Sequence, residues 1–241
     1  GIPVKAEFCE KTDKGKARRA LGMSEEGKVL LLCCGSMGCG PIRSITLRIS
    51  ELLSEDDSLV IICGSNRQLA KELEFIAGDD IRIKICGYTD KMSLYMDAAD
   101  LIITKAGGLS TTEAVLKRLP ILYIDAVPGC ESRNIEFMTG NAYALVADTA
   151  SGMANLVETC LSGAVDAMEM VRRREDDFPF EAAKTIYESV LEEYKRFDEA
   201  RSREKVEVTA KPARQLPPLE KQMMLIVNPV AGKGEMVRRL S

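Results

Sequence analysis

The stretch Ile102-Ile103-Thr104-Lys105-Ala106-Gly107-Gly108-Leu109-Ser110-Thr111-Thr112-Glu113-Ala114 decides the fold. An apolar run stops at two glycines, and a helix then opens with hydroxyls and one carboxylate. In an α/β fold such a junction belongs at the carboxyl end of a strand, the edge where ligands bind. Gly107 and Gly108 let the backbone approach a ligand closely. The helix start offers unpaired N–H groups to an anion or a sugar. Glu113 can accept two hydroxyl hydrogens at once, as a ribose cis-diol requires. A structural reading competes with this one. Ser110-Thr111-Thr112-Glu113 has the spacing of a capping box, with Glu113 reaching back to the Ser110 N–H. Lys105 is then a solvated strand-end charge.

Outward from this stretch, short apolar runs alternate with amphipathic ones. The runs Val29–Cys34, Leu59–Cys63, Ile81–Cys86, Leu101–Thr104, Ile121–Ile124 and Ala144–Val146 read as strands, four of them ending in glycine. Pro41–Leu53, Arg67–Ala77, Met92–Ala98, Ser110–Lys117 and Glu131–Met138 read as the helices between them. Such alternation predicts βαβ units and a parallel sheet covered on both faces. Right-handed crossovers then give a Rossmann-like α/β arrangement. Further helices follow around Ala154–Leu161 and Phe180–Phe197. From 196 to 221, mixed charges, three prolines and lost apolar periodicity predict a linker. Met223–Val227 and Asn228-Pro229-Val230-Ala231-Gly232-Lys233-Gly234 then read as a strand and a turn, too little to bury a core. The expectation is that residues 222–241 open a second domain.

Composition narrows the function. The chain of 241 residues carries a net charge of −4, which does not recommend nucleic acid as a partner. No apolar run approaches the ~20 residues of a bilayer span, and Gly1-Ile2-Pro3-Val4 does not open a signal peptide. The eight cysteines include Cys33, Cys34, Cys63 and Cys86 inside apolar runs, which suits small buried hydrophobes in a reducing, cytoplasmic setting. There is no CxxC pair and no histidine, so a zinc site is not expected and the commonest general base is missing. Arg172-Arg173-Arg174 is followed at once by Glu175-Asp176-Asp177 and makes a poor membrane patch.

Three more strand ends carry candidate groups. Gly35-Ser36-Met37-Gly38-Cys39-Gly40-Pro41 follows a strand and opens a helix, as a phosphate-cradling loop does; it serves equally as a tight turn. Val127-Pro128-Gly129-Cys130-Glu131-Ser132-Arg133-Asn134 places Glu131 and Asn134 one helical turn apart on one face, suited to neighbouring sugar hydroxyls. An acidic first turn complementing the helix dipole explains Glu131 as well. In Gly87-Tyr88-Thr89-Asp90-Lys91-Met92 the backbone can pair with a base edge, or Asp90 can act as an N-cap. All four segments would face one crevice.

Taken together, CGSMGCGP, VIICGSNRQL, GYTDKMSLYMDAADLIITKAGGLSTTEA and PGCESRN resemble the C-terminal, donor-binding half of a GT-B glycosyltransferase. The similarity is to the monogalactosyldiacylglycerol synthases and processive diacylglycerol glucosyltransferases, relatives of the N-acetylglucosaminyltransferase that makes lipid II. It covers roughly residues 1–195. The resemblance implies a UDP-sugar donor and no metal. It places Gly35, Ser36 and Gly38 by the diphosphate, and Gly87, Tyr88 and Thr89 at the uracil. Gly107, Gly108, Ser110 and Thr111 would line phosphate and ribose, with Glu113 on the ribose hydroxyls and Glu131 and Asn134 at the hexose. The family's first loop has two glycines before its serine; here the first is Cys34.

The implied reaction is inverting transfer of a hexose, glucose or galactose, to diacylglycerol. The acceptor site and catalytic base would come from an N-terminal half, so these residues alone are expected to bind donor without turnover. Membrane contact would be peripheral, on the inner face, through that other half. LIVNPVAGKGE resembles the opening of diacylglycerol and sphingoid-base kinases, with Asn228, Pro229, Gly232 and Gly234 as its nucleotide loop. Two alternatives share the fold: a UDP-sugar epimerase-like domain, and a non-catalytic module that senses nucleotide sugar.

Overall fold

The computed structural model describes residues 2–33, 35, 40–124, 131–174, 177–178 and 182–207, with 200–207 as backbone only. The chain divides into a compact unit Gly1–Ser189 and a second unit Val190–Ser241. The first unit holds a six-stranded sheet of β1 (Val29–Cys33), β2 (Ser58–Ile62), β3 (Ile83–Cys86), β4 (Leu101–Thr104), β5 (Ile121–Ile124) and β6 (Leu145–Ala147). Its order is β3-β2-β1-β4-β5-β6 and every pairing is parallel. The expected Rossmann-like sheet flanked by helices is the observed fold.

Continuous apolar strands are what a sheet buried on both faces demands. Leu31, Cys33, Val60, Ile62, Ile102, Ile121 and Tyr123 point to one face. Leu30, Leu32, Leu59, Ile61, Leu101, Ile103, Leu122 and Ile124 point to the other. On the first face lie α1 (Lys14–Ala20), α4 (Met92–Ala98), α5 (Gly108–Leu116) and α6 (Ser132–Gly140), through Ala17, Tyr95, Met96, Ala114, Val115 and Met138. On the second lie α2 (Ile42–Ser50), α3 (Arg67–Ala77), α7 (Ala150–Leu161) and α8 (Ala167–Arg174), through Ile45, Ile49, Leu69, Leu73, Met153, Val157 and Met170. Burial of each such aliphatic side chain contributes about 1.5–3 kcal/mol.

Several boundaries differ from the sequence reading. The third strand begins at Ile83 rather than Ile81, whose side chain is exposed. Asp80 turns the chain there, accepting from the Arg82 N–H at 3.0 Å and pairing with the Arg82 guanidinium. The helix α1 has no apolar stripe; Asp13 caps it by accepting from the Lys16 N–H. A long helix, α9 (Ala182–Glu207), runs past residue 196, where the sequence places a linker. The backbone is helical there as far as Glu207, and Arg196 pairs with Glu193 one turn before it. Within the second unit, residues 190–207 are this helix and 208–241 lie outside the described residues. Among the described residues, no helix is long and apolar enough to cross a membrane.

Of the cysteines expected inside apolar runs, two are buried small hydrophobes, Cys86 is partly buried, and Cys34 lies outside the described residues. Cys33 and Cys63 are buried, and burial pushes their thiols up to about 12 and about 11. Of the three consecutive arginines, Arg172 and Arg173 pair with Asp166 and Glu169 at the surface. Arg174 is buried at 1 % exposure and donates to the Tyr143 and Leu119 carbonyls, fastening α8 to the sheet.

Candidate active site at the carboxyl edge of the sheet

The strand order makes β1 and β4 neighbours whose onward connections run in opposite directions along the sheet. That reversal opens a crevice beyond their carboxyl ends, the usual ligand position of such sheets. Among the described residues, Gly35 after β1, Lys105 and Gly107 after β4, and Glu131 at the head of α6 come together there.

After β1, Gly35 has φ +70°, a backbone conformation that glycine adopts without strain. An added Cβ would stand 3.0 Å from Cε of Lys105, so the missing side chain lets the Lys105 stem cross this loop. Ser36 and Gly38 of the same loop lie outside the described residues.

After β4, Gly107 is the N-cap of α5 and supplies no side-chain cap bond. The first-turn N–H groups therefore remain for an external acceptor. This start overturns the capping box. The helix begins at Gly108, two residues before Ser110, so Ser110 lies inside the first turn and Glu113 in the second. Thr112 donates its hydroxyl to the Gly108 carbonyl at 2.9 Å. Thr111, expected beside phosphate and ribose, is turned inward: its hydroxyl shares a 2.9 Å hydrogen bond with the buried Tyr123 hydroxyl. Ser110 and Glu113 stay partly exposed. Burial pushes the Glu113 carboxyl above its ordinary 4.5; the charge of Lys5 opposes that shift and Glu7 adds to it. Ile2 lies against the same turn, its Cδ1 occupying the space a Gly108 Cβ would need.

After β5, residues 125–130 lie outside the described residues and Glu131 is the N-cap of α6. Glu131 makes no side-chain cap bond. It accepts instead from the Lys105 ammonium at 2.6 Å, with side chains 12 % and 29 % exposed. Asn134 donates its amide N–H to the Ala106 carbonyl at 2.8 Å. Glu131 and Asn134 therefore do share a face, and that face meets the end of β4. The alternative of a solvated strand-end charge gives way for Lys105 to this ion pair; its place directly after the strand, before the double glycine, is the signal the sequence offers.

The fourth loop, Gly87–Thr89, leaves β3 at the same edge. β3 stands three strand spacings from β4, about 14 Å. Tyr88 is exposed, and Thr89 accepts from the Lys91 N–H. Asp90 is not an N-cap: α4 is preceded by Lys91, with no side-chain cap bond. Asn228, Pro229, Gly232 and Gly234 lie outside the described residues. A cavity of about 380 Å³ opens instead at the amino ends of the strands, lined by Lys28, Leu30, Asp100 and Pro120. It lies at the opposite end of the strands from the four loops.

Comparison with known proteins agrees with this fold. Over 176 residues the chain is 31% identical to monogalactosyldiacylglycerol synthase 2 of Arabidopsis thaliana, covering 70% of this chain and 37% of that protein. It is 27% identical over 195 residues to the processive diacylglycerol beta-glucosyltransferase of Bacillus licheniformis, covering 80% and 50%. The chain thus spans between about a third and a half of these relatives. Among solved structures, Anabaena Alr3699/HepE in complex with UDP-glucose has the same fold, with TM-score 0.58 and 18% identity over 79% of this chain and 55% of that one. Residues 29–164, from the first residue of β1 to just beyond α7, match the family described as the glycosyltransferase family 28 C-terminal domain, and the chain belongs to that family.

Proposed function

We propose that this domain binds the UDP-sugar donor of an enzyme that transfers a hexose to diacylglycerol. The observation that carries this reading is the convergence of Gly35, Lys105, Gly107 and Glu131 at the β1–β4 crevice within the family match. The uncapped start of α5 faces the diphosphate, where aligned N–H groups stabilise negative charge that develops as UDP leaves. Glu113, acceptor-only when ionised, takes the ribose hydroxyls. Glu131 and Asn134 face the hexose, and the 87–89 loop takes the uracil. The two relatives are named for diacylglycerol chemistry, which supports that acceptor and does not choose between glucose and galactose.

In the proposed reaction the acceptor hydroxyl attacks the anomeric carbon as the bond to UDP breaks, inverting its configuration. The helix end, without a metal ion, meets the charge of the leaving diphosphate. Acceptor site and base are proposed to belong to a part of the enzyme outside this chain. Residues 222–241 are proposed, on sequence resemblance alone, to open a lipid-kinase-like domain.

Calorimetric titration with UDP, UDP-glucose, UDP-galactose and ADP tests this reading. Binding of the UDP ligands with ADP excluded is the expected result, and the tighter sugar identifies the donor. Equal binding of ADP and UDP, or binding of neither, overturns it.

A further inference from the structure

The Lys105–Glu131 pair stands where three loops meet. Its lysine stem crosses Gly35 of the β1 loop and passes Gly107 of the β4 loop, with Cε 3.0 Å and 3.9 Å from where their Cβ atoms would be. Its ammonium ends 2.6 Å from Glu131 Oε1, at the head of α6. The second carboxylate oxygen, Glu131 Oε2, is buried and has no hydrogen-bond partner among the described residues. A buried carboxylate oxygen without a donor is costly, and the cost ends when a hydroxyl reaches it.

Two chemically opposite needs therefore sit side by side. The ammonium suits an anion, and a diphosphate carries more negative charge than the carboxylate now holding it. The carboxylate accepts only, and a hexose offers hydroxyl donors. Resting on the UDP-sugar reading above, we infer that Lys105 and Glu131 form an exchange pair. In the empty site they neutralise each other. On donor binding Lys105 moves to the diphosphate while Glu131 turns to the hexose hydroxyls. The intact donor satisfies both groups. UDP alone takes the lysine and leaves Glu131 without a donor, so the site favours donor over its own product and helps UDP to leave. Lys105 is thereby a specificity-determining residue, and the pair reads whether the sugar is still attached.

The test compares uridine, UDP and UDP-glucose or UDP-galactose, whichever binds tighter, on the unaltered chain and on the Lys105→Gln and Glu131→Gln variants. Each variant is first checked by its melting curve. Lys105→Gln is expected to weaken UDP and the UDP-hexose about tenfold or more, with uridine unchanged. Glu131→Gln is expected to tighten UDP several-fold, because its competitor for Lys105 is neutral, and to abolish the advantage of UDP-hexose over UDP. Loss of uridine and UDP affinity in parallel in Lys105→Gln makes the lysine a structural prop and overturns the exchange. So does Glu131→Gln weakening UDP. If one variant does not fold, the other decides by its own arm. UDP binding to the unaltered chain with either of these contrary orders overturns the exchange alone; absence of UDP binding overturns the donor reading with it.

Discussion

Glu113 shows how far one residue departs from what its place in the sequence suggests. It caps nothing, it is half-buried, and burial raises its carboxyl above 4.5. A carboxyl raised in the folded state holds its proton there over a pH range where the unfolded chain has lost it. Stability then falls as pH rises through the window that opens at 4.5, and the charged group is a net burden above it. Glu113→Gln is therefore expected to leave stability at pH 7 equal or higher and to flatten its pH dependence just above 4.5. The same change should weaken UDP by about 1–3 kcal/mol through lost charged hydrogen bonds. Denaturant titrations at pH 5 and pH 7 alongside calorimetry check both halves. Lower stability with unchanged UDP affinity would contradict the assignment.

Among the elements, the segment before β1 does more than lead into the sheet. Phe8 is in the core, and Ser93 at the start of α4 donates to the Glu7 carbonyl at 2.7 Å. Lys117, just after α5, forms a 2.7 Å ion pair with Asp97 of α4, both side chains 1 % exposed. It also donates to the Glu10 carbonyl, while the Thr12 N–H donates to Asp97 at 3.2 Å. One buried pair thus joins the N-terminal segment to the helix that follows the 87–89 loop and to the helix that carries Glu113. Removing one partner strands a buried charge. Lys117→Met is expected to cost about 3–5 kcal/mol, and Lys117→Met with Asp97→Asn less than the sum of the two single changes. Urea unfolding of the three variants measures this coupling.

At the scale of the whole molecule, the compact unit ends at Ser189, inside α9. Ala182 at the start of that helix is buried, whereas Tyr187, Val190, Tyr194 and Phe197 are well exposed. The sheet, both of its helical layers and the described residues of the candidate site precede residue 190. A chain cut after Ser189 is expected to melt in one cooperative transition within about 4 °C of the full chain and to bind UDP with the same affinity. A lost transition or a large shift in a thermal scan would show that the second unit is needed for folding of the first.

The sequence by itself determined the α/β class, the parallel sheet and the edge at which the candidate residues lie. The bounds of β4, β5, α3 and α4 are those read from the chain, because a continuous buried strand and an amphipathic helix are written in neighbouring residues. Local spacing misled where a competing local pattern existed: the capping box at Ser110 yielded to a helix that starts at Gly108. It was silent where the decisive partner is far along the chain. The Lys105–Glu131 pair spans 26 residues, the burial of Arg174 depends on carbonyls 31 and 55 residues away, and Thr111 turns inward to meet Tyr123. Which charges are solvated and which are held inside is set by the packing of layers, not by the order of residues, and only the tertiary structure decided it.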